Sequence, residues 1–361
     1  MHISRVDAYE VVVPIYADAV NSPAWGPAIF DTVPKVIVRL TTDGGQVGWG
    51  ESQRGASRDE VTRGAQNLLG LDPLTINLQD VATVINDFAW PANRALHAFD
   101  TALHDLVGKL YAVPAHVLLG GAYRRRVPVA YWTGRRTPED IERIARHARE
   151  QGFTNFKFKL ARAPGQNALD DPIVERMAAT VRAAPDMQVT IDPNEMLGTP
   201  HQARQVMARL ADYAGNLQVL ESPVPQYNLD WYALLRQHSP FAIGLHLNSR
   251  AQVINAIKHE AADVLNLGGT MAEFVSMSRL AAAAGMAIWH GSGVDLGLLD
   301  ASYVHAAACA ETCTLGSDIV GHFVRQHTLL RTALRYSDGH VELPDGPGLG
   351  VEIDLKALHR Y

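Results

Sequence analysis

From Val127 onward the sequence keeps one rhythm, a short apolar run followed by a helical stretch, and repeats it seven times. The runs are Val127–Trp132, Phe153–Leu160, Met187–Asp192, Leu217–Glu221, Phe241–His246, Asp263–Leu267 and Met286–His290. Apolar strands separated by helices are what a parallel sheet buried on both faces requires. The helices carry their own start and stop signals. Thr137-Pro138-Glu139-Asp140 offers a capping residue with proline in the first turn, Gly152 closes that helix, and Thr199-Pro200 opens another. Seven consecutive units need a closed barrel or a wide doubly wound sheet. No Gly-x-Gly-x-x-Gly follows any of the runs, which removes the support for a dinucleotide-binding sheet. The expected fold is therefore α/β, a TIM-like barrel.

The first third reads differently. Ile3–Pro14 and Val33–Thr42 are β-rich, and Asp43-Gly44-Gly45 leads into Gln46–Glu51 as an antiparallel hairpin. Tyr16–Phe30, rich in Pro, Gly, Asn and Ala, is too long for a plain turn and is expected to be a lid or binding loop. Leu96, Phe99, Leu103, Leu106, Val107 and Leu110 fall on one helical face. A chain of 361 residues also exceeds what one core usually holds, so two cooperating domains are expected.

Composition narrows the partners. Hydrophobic residues are 47% and charged residues 19%, which excludes a disordered or fibrous chain. With 32 Lys+Arg against 38 Asp+Glu the net charge is −6, so no basic field is available for nucleic acid. The longest apolar run, Leu280 to Trp289, is too short to span a membrane, and Met1 to Pro14 carries acids where a signal segment would be apolar. Cys309 and Cys313, four apart, support neither a disulfide framework nor a metal knuckle. A cytoplasmic location without membrane partners is expected.

In TIM-like barrels the chemistry gathers at the C-terminal ends of the strands. The second run ends in Lys157-Phe158-Lys159-Leu160, and alternation along a strand puts both lysines on one side, facing the barrel mouth. Two ammonium groups that close repel, so at least one is expected to have a lowered pKa and to serve as a base near neutral pH. The third run ends at Asp192, followed by Pro193-Asn194-Glu195, and the fourth at Glu221-Ser222-Pro223. Two acids and an amide oxygen at one mouth suit a hard cation such as Mg²⁺. A plain pairing of Asp192 and Glu221 with the two lysines fits these four residues equally well.

The chain resembles the enolase superfamily, in its mandelate racemase and muconate-lactonizing enzyme branch. Beyond the strand ends, the resemblance rests on Ala102-Leu103-His104-Asp105-Leu106, on Leu118-Leu119-Gly120-Gly121, and on the tail Asp345-Gly346-Pro347-Gly348-Leu349-Gly350-Val351. It implies an α+β capping domain over residues 1–126, a (β/α)7β barrel over 127–325, and a C-terminal segment, 326–361, that returns to the cap. The Tyr16–Phe30 loop would set specificity together with Tyr131, Trp132 and Thr133, with Asn194 and Asp295 also facing substrate. Asp192 and Glu221 would bind Mg²⁺, or Mn²⁺ in its place, Lys159 would be the general base, and Lys157 would orient a substrate carboxylate. Pairing a Lys or His base with Mg²⁺ to stabilise an enediolate is the superfamily's general chemistry, carried over here and not worked out from spacing. The substrate would be a small carboxylate and the protein a homo-oligomer.

Two strand ends depart from that pattern. Leu245 stands where the family supplies a third acid, which leaves His246 or Asn248 to complete the metal shell, or two carboxylates alone. A His ligand favours Mn²⁺ or Zn²⁺ and the Asn oxygen keeps Mg²⁺. On the sixth strand Asn266-Leu267 runs straight into Gly268-Gly269, and the second lysine of two-base family members is missing. His290, oriented by Asp263 or Asp295, is the available replacement. With unlike groups on the two sides, β-elimination or cycloisomerisation is expected ahead of racemisation through Lys159 and His290. A member that binds carboxylate with impaired metal binding and little catalysis is the further alternative.

Overall fold

The fold is described from a computed structural model covering residues 1–25, 28, 30–85, 94–160 and 168–361. The chain begins with strand β1 (Ile3–Pro14), which pairs antiparallel with β2 (Thr32–Thr42); β2 in turn pairs with β3 (Val47–Glu51). Helices α1 (Arg58–Gln66), α2 (Val81–Ile85) and α3 (Leu96–Leu110) cover this sheet, and α4 (Ala115–Leu118) leads toward the barrel. The apolar face read from the sequence for α3 is buried against the sheet through Phe99, Leu103 and Leu106. Contact is so close that a side-chain carbon at Gly50 would overlap the Ala98 carbonyl, so only glycine fits there.

The barrel follows. The run expected as one strand, Val127–Trp132, is split. Its first part, β4 (Arg126–Pro128), pairs with a late hairpin, and only β5 (Tyr131–Thr133) joins the large sheet. Then α5 (Pro138–Glu150), β6 (Asn155–Lys159), α6 (Ile173–Ala183), β7 (Gln188–Asp192), α7 (Pro200–Leu210), β8 (Leu217–Glu221), α8 (Leu229–Gln237), β9 (Ala242–Leu247), α9 (Arg250–Lys258), β10 (Val264–Leu267), α10 (Met271–Ala283), β11 (Ala287–His290) and α11 (Leu298–Ala308) alternate in order. The seven strands from β5 to β11 lie side by side, every neighbouring pair parallel. Thr137 and Thr199 cap α5 and α7 through backbone N–H groups, as the sequence signals indicate.

An eighth segment, 312–318, closes the ring. On one side the Ala130 N–H donates to the Ser317 carbonyl and the Ser317 N–H to that of Pro128. On the other the Ile288 N–H reaches Thr312 and the Asp318 N–H reaches His290. The result is a (β/α)7β barrel whose interior is filled by Val219, Val264 and Trp289, with Ala242, Ala287 and Leu315 packed on them. The last elements are α12 (Gly321–Val324), the hairpin β12 (Tyr336–Ser337) and β13 (His340–Glu342), and α13 (Leu355–Arg360). From this tail the Tyr361 carbonyl accepts the Val12 N–H.

Two buried acids bind cap, barrel and tail together. The Asp105 carboxylate accepts N–H groups from Trp49 (2.9 Å) and from Leu349 (3.0 Å) in the tail. Glu51 accepts the N–H groups of Leu296 (2.6 Å) and Leu299 (2.9 Å) at the start of α11. Lys35 sits between Glu51 and Asp295 with no exposed side-chain surface. Cys309 and Cys313 are buried and unpaired. Among the described residues no helix is long and apolar enough to cross a membrane.

Candidate active site

At the C-terminal ends of the strands the barrel and the cap enclose a cavity of about 270 Å³. Lys157, Lys159, Asp192, Asn194, Glu221 and His246 all line it, so six of the side chains singled out in the sequence meet in one place. Strand registry is the reason: Lys159 lies opposite Asp192 across β6 and β7, and side-chain alternation turns both inward.

Two residues that sequence reasoning left out of the site share this floor. Asp318, at the end of the closing segment, and Asn266, at the end of β10, both line the cavity. The Lys157 ammonium donates to Glu221 and to Asp318 and lies 3.7 Å from Asp192. Asn266 donates to Glu221 (2.8 Å) and Asp318 (3.3 Å), and the Trp289 indole N–H also donates to Asp318. Lys159 pairs with Asp192. The two lysines nevertheless differ in access: the Lys157 side chain is 2% exposed and that of Lys159 is 24% exposed, on the cavity side.

The electrostatics follow from burying three carboxylates with two ammonium groups. Burial alone lowers the pKa of Lys157, but Asp318, Glu221 and Asp192 outweigh it and raise the pKa above the ordinary lysine value. Lys157 is therefore not a lysine of lowered pKa. Burial raises Asp192, yet Lys159 and Lys157 prevail and hold it at about 2. Glu221 is pushed up to about 7 by burial and by the Asp192 charge. The floor is one positive charge short.

That shortage, with oxygen donors converging on it, fits a divalent cation. Asp192 and Glu221 offer carboxylate oxygens, and the buried Oδ1 atoms of Asn266 and Asp318 have no hydrogen-bond partner. At the expected third acid, Leu245 is fully buried and faces away from the cavity, while His246, next along β9, turns in with Nδ1 3.8 Å from Glu221. Burial and Lys157 push the His246 imidazole down to about 4, which keeps it neutral and able to act as a ligand. Among the described residues no three His, Cys, Asp or Glu side chains already form a coordination shell, the carboxylates being turned onto the lysines.

Five other residues expected at the site lie elsewhere. His290 does not reach the cavity. Trp289 faces the barrel interior, so its neighbour faces outward, stacked between Phe274 and Tyr303 at 4.2 Å from each ring. Its Nδ1 meets the Gly291 carbonyl, and burial pushes its pKa down to about 3. Asp263 cannot orient it, because it lies just before β10, paired with Arg236. Asp295 is spent on Lys35 and borders a second cavity of about 600 Å³, as Asn248 does, not the first. Of the two aromatic residues expected to shape the site, Tyr131 points outward onto Phe153 and Phe323, while Trp132 lines the cavity, since neighbours on a strand face opposite sides.

The Tyr16–Phe30 loop lies over this mouth. Val20 and Phe30 line the cavity; residues 26, 27 and 29 lie outside the described residues. The loop is clamped to the turn after β5. The Ser22 N–H donates to the Arg135 carbonyl, the Arg135 N–H to that of Val20, and Arg136 Nη2 to that of Ala19 (2.7 Å). A side-chain carbon at Gly134 would overlap the Val20 carbonyl. Arg54, from the cap, and Arg135 complete the wall.

A capped (β/α)7β barrel with two lysines and three acids at its mouth defines an enzyme of the enolase type. Residues 26–120 match the N-terminal domain of mandelate racemase and muconate lactonizing enzyme, and residues 140–357 the enolase C-terminal domain-like family. The chain belongs to the mandelate racemase and muconate lactonizing enzyme branch of the enolase superfamily, an enzyme of isomerase or lyase type. It is 31% identical to D-galactarolactone cycloisomerase of Agrobacterium fabrum, over 92% of each chain, and 27% identical to muconate cycloisomerase 1 of Rhodococcus opacus, over 91% of each. The crystal structure of N-succinyl Arg/Lys racemase from Bacillus cereus superposes with a TM-score of 0.87 at 24% identity, covering 100% of this chain and 98% of that one.

Proposed function

We propose that the protein removes the proton next to a carboxylate in a small substrate, with Lys159 as the only base, and passes the resulting enediolate to β-elimination, as a cycloisomerase or a dehydratase. The observation that carries this reading is the contrast between the lysines. Lys157 is buried and held charged by three acids, whereas Lys159 reaches the cavity and has a single ion-pair partner among the described residues.

A divalent cation on Asp192 and Glu221, with His246 as the third ligand, would supply the charge that stabilises two developing negative oxygens, and would loosen the Asp192–Lys159 pair. The chain's own groups do the rest. Lys157 stays protonated and fixes the substrate carboxylate. Lys159 takes the α-proton and, as an ammonium, can return it to a departing β-oxygen on the same face. Val20, Phe30 and Trp132 keep water from the enediolate. One base suffices for such an elimination, while racemisation needs a second on the opposite face. His290 is not available there, and Asn266 occupies the end of β10. The relatives include cycloisomerases at 27–31% identity and a racemase at 26%, so they support the general class of reaction and leave this choice to the geometry.

Calorimetric titration with Mg²⁺ and Mn²⁺ tests the metal half. Wild type is expected to bind one equivalent, with Asp192→Asn weakening it about tenfold or more. No binding at about millimolar metal would instead favour a carboxylate-binding protein without this chemistry.

A further inference from the structure

The cavity at the barrel mouth meets the second, larger cavity across a thin wall. Ser292 and Gly293, on the loop after β11, border both cavities, Val294 borders only the first and Asp295 only the second. The segment from Ser292 to Asp295 therefore stands between them. Val294 has φ +67°, and among the described residues it is the only β-branched residue in the left-handed region. A branched β-carbon crowds the backbone there, so the conformation is strained and persists only where the surroundings impose it. They do so on both sides. Before Val294, the Gly291 N–H donates to the Leu267 carbonyl (2.9 Å) and the Val320 N–H to the Ser292 hydroxyl (3.4 Å). After it, Lys35 from the cap holds the Asp295 carboxylate, Arg325 donates to the Asp295 carbonyl, and the Leu296 N–H donates to Glu51 (2.6 Å). The Val294 side chain is left 5% exposed, on the wall of the first cavity.

We propose that Val294 sets the size limit of the substrate and that the cap enforces it through Lys35 and Asp295. The substrate is then a carboxylate whose remaining part is short enough to stay within a cavity of about 270 Å³. A free loop yields to a larger group at small cost. A segment pinned on both sides does not, so a longer group meets close-packed atoms instead of the space beyond. The buried Lys35, Glu51 and Asp295 cluster thereby holds the wall in place as well as joining cap to barrel. This inference rests on the proposed function for the placement of the carboxylate at Lys157 and Lys159.

Calorimetry with phenylacetate and para-biphenylacetate, rigid acids that differ by one ring at the far end, tests it with and without Mg²⁺. Wild type is expected to bind phenylacetate about tenfold or more tightly. Val294→Gly relieves the strain and removes the branch, and it should bring the two acids within about threefold by tightening the longer one. Val294→Ala should fall between. Asp295→Asn keeps the size of the side chain and drops the charge that Lys35 holds, so it should shift the ratio the same way by a smaller factor. Equal affinities in wild type, or an unchanged ratio in Val294→Gly, would overturn the size limit, and an unchanged ratio in Asp295→Asn would overturn the role of the cap. Should Val294→Gly fail to fold, the same comparison with Val294→Ala decides. Failure of the proposed function looks different: phenylacetate binding indifferent to Mg²⁺, with the size preference and its loss in Val294→Gly intact.

Discussion

Lys157 and Lys159 stand two positions apart on one strand and carry opposite duties because of what surrounds them. Lys157 neutralises Glu221, Asp192 and Asp318 in a site with almost no exposure, so Lys157→Ala would strand buried carboxylates. The expected loss is about 3–5 kcal/mol, read by urea unfolding, and a loss below about 1 kcal/mol would contradict the assignment. His290 gives the reverse prediction. As a ring packed between Phe274 and Tyr303, its replacement by Gln should cost about 2–4 kcal/mol of stability. Hydrogen exchange at the substrate α-carbon should stay within about threefold, since removing a base costs about a hundredfold or more. At this scale the sequence was legible at Lys159, Asp192 and Glu221, where a polar residue closes an apolar run, while the same signal misled at His290. It was silent at Asp318, whose segment joins the ring through isolated bridges and carries no alternating pattern.

Among elements, the hydrogen bonds that clamp the loop over the mouth depend on a close approach at Gly134. Gly134 lets the turn after β5 approach the Val20 carbonyl, and Gly134→Ala must push the loop away. The expected result is a several-fold rise in KM with a cost of about 1–3 kcal/mol in stability. An unchanged KM would show that the loop does not shape the site. The helices from α5 to α11 and the parallel strands could be read from caps and apolar runs, because those signals are local. The break between β4 and β5 could not, since β4 leaves the barrel to pair with β13, far along the chain.

For the whole molecule, the cost of building the interior shows in its histidines. Burial pushes His97 and His305 down to about 4 and His290 to about 3. In the unfolded chain each titrates near 6.5, so between about pH 6.5 and 4 the unfolded state binds more protons. Stability from these groups is complete above that window and is lost as the pH falls through it, by up to about 1.4 kcal/mol per pH unit for each histidine. His305→Gln should flatten the unfolding free energy against pH by about that slope for one group, and an unchanged slope would contradict the assignment. The two-domain plan was visible in the contrast between the first third and the later repeats. The buried Lys35, Glu51 and Asp295 cluster that joins cap to barrel was not, because its members lie far apart in sequence.

The most direct test is exchange of the α-hydrogen of a small carboxylate substrate with solvent deuterium, followed by proton NMR with Mg²⁺ supplied and after chelation, in wild type and in Lys159→Ala. Wild type should exchange only with the cation present, and Lys159→Ala should not exchange in either condition. Undiminished exchange in Lys159→Ala, or in chelated wild type, would contradict a lysine and a divalent cation acting together at this barrel mouth.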